Sequence, residues 1–465
     1  MTSDIRPPAA RPVASGRVSI VGGGLAGSEA AWQAARLGAE VTLYEMRPSK
    51  MTEAHRTGLL AELVCSNSFK SDALDNANGL LKLELKMLNS LLVMAAAEAR
   101  VPAGTALCVD RQAFAARVTK LIEAEPRIAL VRREVAALPE ADAVVLAPGP
   151  LASPAISQAI ESLVGARHLF FYDAVSPIVE ADSVDMSVAF SSSRYDKGES
   201  TYLNLPLDKA QYARFLCELR DAEVLPRREF EEDRFFSACM PVEESARMGE
   251  ETLAHGCMKP VGLLNPRTGR MPHAVVQLRP ENVAGTMYGM VGFQTRLKYA
   301  EQERILRMLP GLEHARFVRL GSIHRNTYIC SPAVLAPTLR VKRLPHVFVA
   351  GQVTGAEGYM AAVATGLLAG VNAALAARGE PCLVPPVETV IGGLAGYLST
   401  ASPIDFRPLN PNYGLLPPLG IKVRDRRRRN LLLSERSAGA LKTWIERNGV
   451  AGRTDMAVNP SGVIS

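Results

Sequence analysis

A chain of 465 residues, 48% of them hydrophobic, is long enough to bury a large core, and we expect two domains. The 22% of charged residues gives no sign of disorder, and seven scattered cysteines without a CxxC pair or Cys/His metal spacing exclude a zinc site and favour reduced thiols. The net charge of +6 favours an anionic partner.

The amino-terminal residues 1–16 are rich in Pro, Ala and Arg and lack the apolar centre of a signal peptide, which predicts a flexible leader. The longest apolar run, residues 366–377, is shorter than the roughly 18–20 residues of a membrane helix and has the length of a buried core helix. Together with the reduced cysteines, these features predict a cytoplasmic protein.

The first predicted elements form a strand–helix–strand unit. The apolar, β-branched run 17–21 predicts a buried strand, residues 28–38 carry small and apolar residues at helical spacing, and residues 39–45 return as a second strand. Because strands joined in this way lie parallel, the unit predicts an α/β fold with a Rossmann-like sheet.

A G-x-G-x-x-G turn joins the first strand to its helix. Its first glycine permits the tight turn, its second lets the backbone approach a pyrophosphate, and its third lets helix and strand pack closely. Glu45 ends the second strand, where a carboxylate binds ribose hydroxyls. We therefore predict a dinucleotide site, and not merely a structural turn, at Gly22, Gly23, Gly24, Leu25, Ala26, Gly27 and Glu45.

The stretch AELVCSNSFKSD, residues 61–72, contains a cysteine in an unusual setting. Cys65 has polar residues on its carboxyl side, whereas a buried structural cysteine usually has apolar neighbours. The residues alone leave two interpretations open, a reactive thiol or an incidental core residue at the end of a strand.

A helix and a further strand follow this stretch. Leucines and alanines at three- and four-residue spacing from Leu81 to Ala96 predict one long amphipathic helix, with Asn76 or Asn78 as its cap. The apolar run in residues 143–149 predicts another strand of the sheet, ending in a loop.

The sequence pattern changes between residues 185 and 320. Short alternating runs mix with helices, among them one that begins after Asp208, and this mixture predicts an inserted α+β domain. Residues 346–352 then resume the buried-strand pattern and lead into a helix that runs through Ala376. The first domain is therefore predicted to be discontinuous and to be completed by the carboxyl part of the chain.

The sequence AGQVTGAEGY, residues 350–359, predicts a second contact between backbone and cofactor. Gly351, Gly355 and Gly358 follow a strand end and precede a helix, as in loops that contact the flavin and ribityl chain of two-part FAD enzymes. Since there is no second G-x-G-x-x-G for a tightly held nicotinamide nucleotide, we predict FAD, with NAD(P)H visiting only transiently. We expect a leader (1–16), an FAD-binding domain in two parts (17–184 and 321–441), an inserted domain (185–320) and a carboxyl-terminal tail (442–465).

Cys239 resembles Cys65 in its setting, because Met240 and Pro241 follow it and impose an irregular backbone. Short loops elsewhere carry cationic and hydrogen-bonding groups, and a thiolate near such cations becomes a usable nucleophile. These groups are Lys259, Arg279, His324, Arg325 and Asn326. The alternative, that both cysteines are inert small hydrophobic residues, stays open.

The segment KVRDRRRR, residues 422–429, holds six basic residues and one acid. Concentrated positive charge attracts RNA or DNA phosphate, although a solubilising helix end has the same composition. The candidate RNA contacts are Lys422, Arg424, Arg426, Arg427, Arg428 and Arg429.

Long sequence words from Val18 to Gly379 resemble, in consistent order, one bacterial family. They include VGGGLAGSEAAWQAARLGAEVTLYEMRP, AELVCSNSFKSD, NGLLKLELKMLNSL, RVPAGTALCVDR, SRYDKGE, CMPVEE, MKPVGL, VVQLRPEN, MVGFQTRLKYAEQ, HRNTYICSP and GQVTGAEGY. The family is the folate- and FAD-dependent tRNA (uracil-5-)-methyltransferases, which are related to the FAD subunit of the tRNA wobble-uridine modification complex. One departure is APG at residues 147–149, where Pro148 replaces the family's small polar residue near the cofactor.

The resemblance implies a reaction. It implies that the protein takes a methylene group from 5,10-methylenetetrahydrofolate and makes 5-methyluridine in the T-loop of tRNA, at position 54. In this family reduced FAD carries the carbon and supplies reducing equivalents, which NAD(P)H replenishes. Uracil C5 is a poor nucleophile until a thiolate adds at C6, and a second thiol or base then manages the C5 proton.

Carried over residue by residue, the resemblance implies that the family's two functional cysteines are Cys65 and Cys239. We expect Cys239 to attack C6 and Cys65 to act in proton transfer or in protecting the flavin intermediate, although the roles could be reversed. His324 is a candidate to stack on the folate pterin, and Tyr359 to pack beside the flavin. Three alternatives remain: the same chemistry on a ribosomal RNA uridine, an FAD oxidoreductase acting on a small molecule, and a non-catalytic RNA-binding partner, against which the two cysteines argue.

Overall fold

The computed structural model describes residues 16–52, 54–164, 169–192, 194, 202–225, 240–281, 285–403 and 406–450. The strands are β1 Arg17–Val21, β2 Glu40–Tyr44, β3 Ser68–Ser71, β4 Arg100–Val101, β5 Ala106–Val109, β6 Ile128–Val131, β7 Ala143–Leu146, β8 Leu169–Val175, β9 Ile178–Glu180, β10 Phe190–Ser191, β11 Leu203–Leu207, β12 Ala274–Pro280, β13 Met287–Met290, β14 Phe317–Arg319, β15 Ser322–Tyr328, β16 Arg340–Val341 and β17 Leu344–Val349. The helices are α1 Leu25–Arg36, α2 Ala77–Met87, α3 Leu91–Glu98, α4 Arg111–Ala124, α5 Pro154–Val164, α6 Lys209–Asp221, α7 Val242–Met248, α8 Thr252–His255, α9 Tyr299–Leu306, α10 Ser331–Val334, α11 Tyr359–Ala377, α12 Val390–Thr400 and α13 Arg426–Asn448.

A six-stranded sheet in the order β16-β17-β7-β1-β2-β6 forms the first layer of the fold. β1 pairs in parallel with β2 and β7, β2 with β6, and β7 with β17, while β16 is an antiparallel edge strand. The four residues of β1 after Arg17 are buried, as expected for a strand covered on both faces. The predicted α/β, Rossmann-like class is confirmed. Because β17 pairs with β7, the carboxyl part of the chain completes the same sheet that β1 begins at Arg17.

A second six-stranded sheet, in the order β10-β11-β12-β13-β9-β14, is antiparallel throughout. Helices α6 to α9 accompany it and share a separate apolar core with its strands. The predicted cap of α6 is confirmed: the Asp208 side chain accepts from the backbone N–H of Gln211, whose own side chain accepts from the N–H of Asp208. The exact domain boundaries stay predictions.

The single long helix predicted from Leu81 to Ala96 is wrong, because the chain forms two helices there. α2 begins after Asn76, which caps it as predicted, and ends at Met87. Asn89 then takes a positive φ of 56°, and the Ser90 side chain accepts from the N–H of Val93 to cap α3. The apolar spacing continues from α2 into α3 because each helix buries apolar residues, so the spacing alone does not reveal the break.

α11 packs along α1 with almost no space between their backbones. A Cβ added to Gly366 or Gly370 would lie 2.3 or 2.4 Å from the carbonyl oxygens of Ala26 or Ala30. The glycines of α11 therefore hold the two helices at a fixed separation.

α11 is also longer than the apolar run in the sequence suggested. Its 19 residues are apolar enough to cross a membrane by length and composition alone, but 83% of the relevant 18-residue window is buried inside the protein. It is a core helix, as predicted.

Glu84 of α2 joins three helices through one buried carboxylate. Its Oε1 accepts from the N–H of Val390 and from the hydroxyl of Ser437, and its Oε2 accepts from the N–H of Ile391. Since the first two N–H groups of α12 have no partner within that helix, the carboxylate caps α12 while it binds α13.

Candidate functional site

A cleft of about 1050 Å³, including its open mouth, lies at the carboxyl ends of β1, β2 and β7. In open parallel sheets ligands bind at this edge. Its walls contain the glycine turn, the end of β2, residues 147–151 and the loop before α11. We call it the cofactor cleft. Of the predicted cofactor residues, Gly22, Gly24, Leu25, Ala26, Glu45, Gly351, Gly358 and Tyr359 line it.

The glycine turn has the steric properties of a phosphate loop. Gly22 has a φ of +104°, and a Cβ there would lie 2.2 Å from the carbonyl oxygen of Ala147. A Cβ on Gly27 would lie 1.7 Å from the oxygen of Gly22. A Cβ on Gly24 would meet no atom within 4 Å, so the space beside it is open to a ligand at the N-terminus of α1. The turn therefore fits a pyrophosphate.

Glu45 lies at the end of β2, buried and ionised. It accepts from the N–H of Gly23 at 2.8 Å and from the Arg47 side chain at 2.9 Å. Burial acts to raise the pKa of Glu45, but hydrogen bonds and the charge of Arg47 outweigh it and leave the pKa below its usual value. Arg47, 2% exposed, also reaches Glu62 at 3.1 Å. The one signal in the sequence that could have identified Arg47 as a residue of this site is its position two residues after Glu45.

The loop before α11 forms the opposite wall of the cofactor cleft. Gly351, Gly355 and Gly358 all have positive φ angles, between +84° and +95°, which other residues rarely adopt. Gly358 is also the N-cap of α11, so a second helix N-terminus borders the cleft. Pro148 lines the cleft as well, at the position where the sequence departs from its family pattern.

Five residues around Cys65, positions 63–67, form what we call the Cys65 segment, and side chains distant in sequence hold it. The Tyr359 hydroxyl accepts from the N–H groups of Cys65 and Ser66, at 2.9 and 3.0 Å. Arg111 donates to the carbonyl oxygen of Leu63 and Arg319 to that of Val64, both at 3.0 Å. The thiol-bearing segment is thus fixed next to the cofactor cleft, which Val64 and Tyr359 line.

A second cleft, lined by β12, β13 and the Cys65 segment, contains Cys65 itself with Lys70, Arg111, Arg279 and Glu281. We call it the arginine cleft. The Arg111 side chain lies 2.8 Å from Glu281, and that of Arg279 lies 3.8 Å from the same carboxylate. Positive charge exceeds negative charge here, which favours an anionic group in the cleft.

Burial lowers the pKa of Arg319 to about 10, and the neighbouring charge of Arg111 acts in the same direction. For Arg111, burial acts to lower the pKa, but Glu281 and other partners outweigh it and raise the pKa above its usual value. Both guanidinium groups remain charged at neutral pH. Neither arginine was among the residues selected from the sequence, because nothing local marks them.

Cys239 lies outside the described residues, so its predicted role as a nucleophile stays a prediction. His324 lies in β15, where its backbone is paired with that of Asp173 in β8. The role of the His324 side chain is likewise a prediction. The described residues contain no group of three or more His, Cys, Asp or Glu side chains that could hold a metal ion.

The basic run at residues 422–429 is exposed in all six of its Lys and Arg positions. Its last four arginines, Arg426 to Arg429, occupy the first turn of α13, and the Asp425 side chain caps that helix. Cations at a helix N-terminus oppose the helix dipole and do not stabilise the helix. Arg427 lies 3.3 Å from Asp75, and the cluster otherwise presents positive charge to solvent.

The chain is similar to known proteins over most of its length. The family model described as glucose inhibited division protein A matches residues 17–381. The methylenetetrahydrofolate–tRNA-(uracil-5-)-methyltransferase TrmFO of Moorella thermoacetica is 55% identical over 92% of this chain and 98% of its own length. The protein of the same name from Aquifex aeolicus is 52% identical over 93% of this chain and 97% of its own.

Among solved structures, Aquifex aeolicus GidA in its form II crystal superposes with a TM-score of 0.65 at 17% identity. The superposition covers 94% of this chain and 77% of that one. At this identity the likeness establishes the fold alone.

Proposed function

The chain belongs to the glucose inhibited division protein A family and, within it, to the methylenetetrahydrofolate–tRNA-(uracil-5-)-methyltransferases, and from this premise we propose that it methylates C5 of the T-loop uridine of tRNA, at position 54. The carbon donor is 5,10-methylenetetrahydrofolate, and FAD is the resident cofactor. One structural observation carries the proposal: the backbone N–H of Cys65 donates a hydrogen bond to the hydroxyl of Tyr359, and Tyr359 lines the cofactor cleft.

The cofactor cleft supports the choice of a dinucleotide. Gly22 and Gly24 would hold the pyrophosphate through the backbone at the N-terminus of α1, and Glu45 would contact the ribose. The loop from Gly351 to Gly358 would contact the flavin end. When bound, reduced FAD supplies the reducing equivalents and carries the one-carbon unit, and we propose NAD(P)H as its reductant.

The thiols act on uracil. A cysteine thiolate adds to C6, and the C5=C6 electron pair becomes an enolate that can attack the electrophilic one-carbon unit. Transfer of the C5 proton to a second group would accompany cleavage of the bond between the one-carbon unit and its carrier, which leaves a methylene group on C5. A hydride equivalent, which reduced FAD would supply, would convert this methylene into the methyl group as the thiolate leaves C6 and the C5=C6 double bond re-forms. We propose Cys239 for the addition and Cys65 for the proton transfer or for protection of the carbon-loaded cofactor. Positive charge in the arginine cleft favours a thiolate at Cys65.

The remaining assignments are parts of the same proposal. His324 would stack on the folate pterin, and the exposed basic run at residues 422–429 would contact tRNA phosphates. Such an enzyme works where tRNA is processed, so we propose a cytoplasmic location. An exposed cluster of arginines at a helix N-terminus contributes nothing to helix stability, which favours a role in RNA binding.

The test is a methylation assay on an unmodified tRNA transcript. We expect 5-methyluridine at position 54 only when methylenetetrahydrofolate and NAD(P)H are both present, and none with S-adenosylmethionine as the donor. The Cys239→Ala variant should keep its FAD and lose turnover. Methylation of a ribosomal RNA fragment but not of the tRNA transcript would overturn the choice of substrate, and product formation without folate would overturn the reaction.

A further inference from the structure

Arg319 has a setting that destabilises the fold. Its Nε and Nη2 atoms are buried and have no hydrogen-bond partner among the described residues. Burial and the like charge of Arg111 both lower its pKa. Buried polar atoms without partners lower the stability of the folded state, and they do so more when the group is charged. The stability of the fold therefore does not account for an arginine at this position.

Arg111 provides a contrast on the same segment. Its guanidinium is paired with Glu281 at 2.8 Å, so its charge is compensated where it is buried. Within the described part of the chain, Arg319 forms no such ion pair. The one hydrogen bond of the Arg319 side chain there, from Nη1, is to the Val64 carbonyl oxygen at 3.0 Å. That carbonyl belongs to the peptide bond whose N–H is the N–H of Cys65.

The same peptide bond is held from its other side. The N–H of Cys65 donates to the Tyr359 hydroxyl at 2.9 Å, while the carbonyl of Val64 accepts from Arg319. The N–H and C=O groups of this one peptide bond thus contact Tyr359, which lines the cofactor cleft, and Arg319, which ends β14 of the antiparallel sheet. With both groups of the plane engaged, its rotation is restricted, and with it the direction of the Cys65 side chain.

We propose that Arg319 is a positioning residue that orients Cys65 by holding the peptide bond before it, and that it thereby links the antiparallel sheet to the thiol. The proposal rests on the proposed function in so far as Cys65 takes part in the reaction. Arg319 does not act on substrate. It affects the reaction only through its hydrogen bond to the Val64 carbonyl, which orients Cys65. Burial of the arginine lowers the stability of the fold, and the orientation of Cys65 explains why an arginine is nevertheless present.

The test compares Arg319→Met with the wild-type holoenzyme. Methionine fills a similar space without a buried charge, so the melting temperature should stay equal or rise, and FAD should remain bound. Without the donor to Val64, kcat for tRNA methylation should fall about tenfold or more while KM for tRNA changes little. The rate at which iodoacetamide alkylates Cys65, followed by peptide mass mapping, should change about fivefold.

Two further variants complete the design. Arg319→Lys keeps a charged donor and should retain more activity than Arg319→Met. Arg316→Met serves as the matched control, because Arg316 is an exposed arginine just before the same strand and pairs with Glu180 and Asp182 instead of the Cys65 segment. It should behave as wild type in all assays.

The proposal is overturned if Arg319→Met keeps both its kcat and its Cys65 alkylation rate. It is also overturned if the variant loses stability and FAD together with activity, because that pattern indicates a structural role. The alkylation of Cys65 can be measured whether or not the wild-type protein methylates tRNA. A failure of the proposed function would therefore leave this readout intact.

Discussion

The hydroxyl oxygen of Tyr359 lies 2.9 Å from the backbone nitrogen of Cys65, although the two residues are 294 positions apart in the chain. The same oxygen accepts from Ser66 at 3.0 Å. The side chain that begins the helix behind the cofactor cleft is therefore the side chain that holds the thiol-bearing segment. Burial raises the pKa of Tyr359, so it remains a neutral phenol throughout the physiological range.

Tyr359→Phe should separate this contact from the aromatic packing of the ring. The variant leaves the N–H groups of Cys65 and Ser66 without their acceptor, which should lower the free energy of unfolding by about 1–3 kcal/mol. We expect kcat to fall with FAD retained, as measured by methylation assay and visible absorbance. Tyr397→Phe is the control, since its hydroxyl bonds to Arg407 at an exposed site. Equal activity losses in the two variants would argue against a specific role for Tyr359.

Gly24→Ala and Gly27→Ala should fail in different ways. A Cβ at position 24 meets no protein atom within 4 Å, so the fold should survive at a cost of about 1 kcal/mol or less, while FAD affinity falls. A Cβ at position 27 collides with the oxygen of Gly22, so the protein should lose stability with or without FAD. Thermal unfolding and fluorescence titration with FAD measure the two effects. Unchanged FAD affinity in Gly24→Ala would contradict the pyrophosphate site.

Neutralising the basic run should weaken tRNA binding without affecting the cofactor. Arg426→Gln together with Arg428→Gln removes two exposed charges, and the dependence of log K on log salt should become shallower by about 0.9 for each phosphate that the protein no longer neutralises. Binding is measured at several salt concentrations. The control pair, Arg117→Gln with Arg127→Gln, removes a half-buried and an exposed arginine, which pair with Glu98 and Glu40. A control pair with the same effect on the salt dependence would show that the run is not a specific contact.

Glu84 should make stability fall as the pH rises. Burial raises its pKa from 4.5 to about 7, so the folded protein binds a proton that the unfolded chain releases in this interval. The contribution of Glu84 is neutral below about pH 4.5, becomes steadily less favourable as the pH rises from 4.5 to 7, and levels off above pH 7 at about 3 kcal/mol of lost stability.

Chemical unfolding of the wild type and Glu84→Gln at a series of pH values tests this. Relative to the variant, the wild type should lose stability between pH 4.5 and 7. Glu98→Gln, which changes an exposed carboxylate, should show no such relative trend. A constant difference between the wild type and Glu84→Gln across this range would contradict the assignment.

The apolar runs and the helical spacing of small and apolar residues predicted most of the parallel sheet and the helix that follows its first strand. The strand before Gly22, the turn and the helix after it are specified by neighbouring residues, and so is the Asp208 cap. The break at Asn89 was missed, because an apolar spacing does not report a single residue with positive φ. The hydrogen bonds that fix the Cys65 segment could not be predicted either, because only tertiary packing brings Arg111, Arg319 and Tyr359 next to it.

The contact of Gly366 and Gly370 with the backbone of α1 has a consequence for how this architecture can change over evolution. The two helix N-termini that border the cofactor cleft belong to segments separated by most of the chain, yet their spacing is set by backbone against backbone. The antiparallel sheet inserted between them can be lengthened, replaced or exchanged without altering that spacing. The intervening antiparallel sheet is therefore the part of the molecule where new substrates can be acquired while the cofactor stays in the same place.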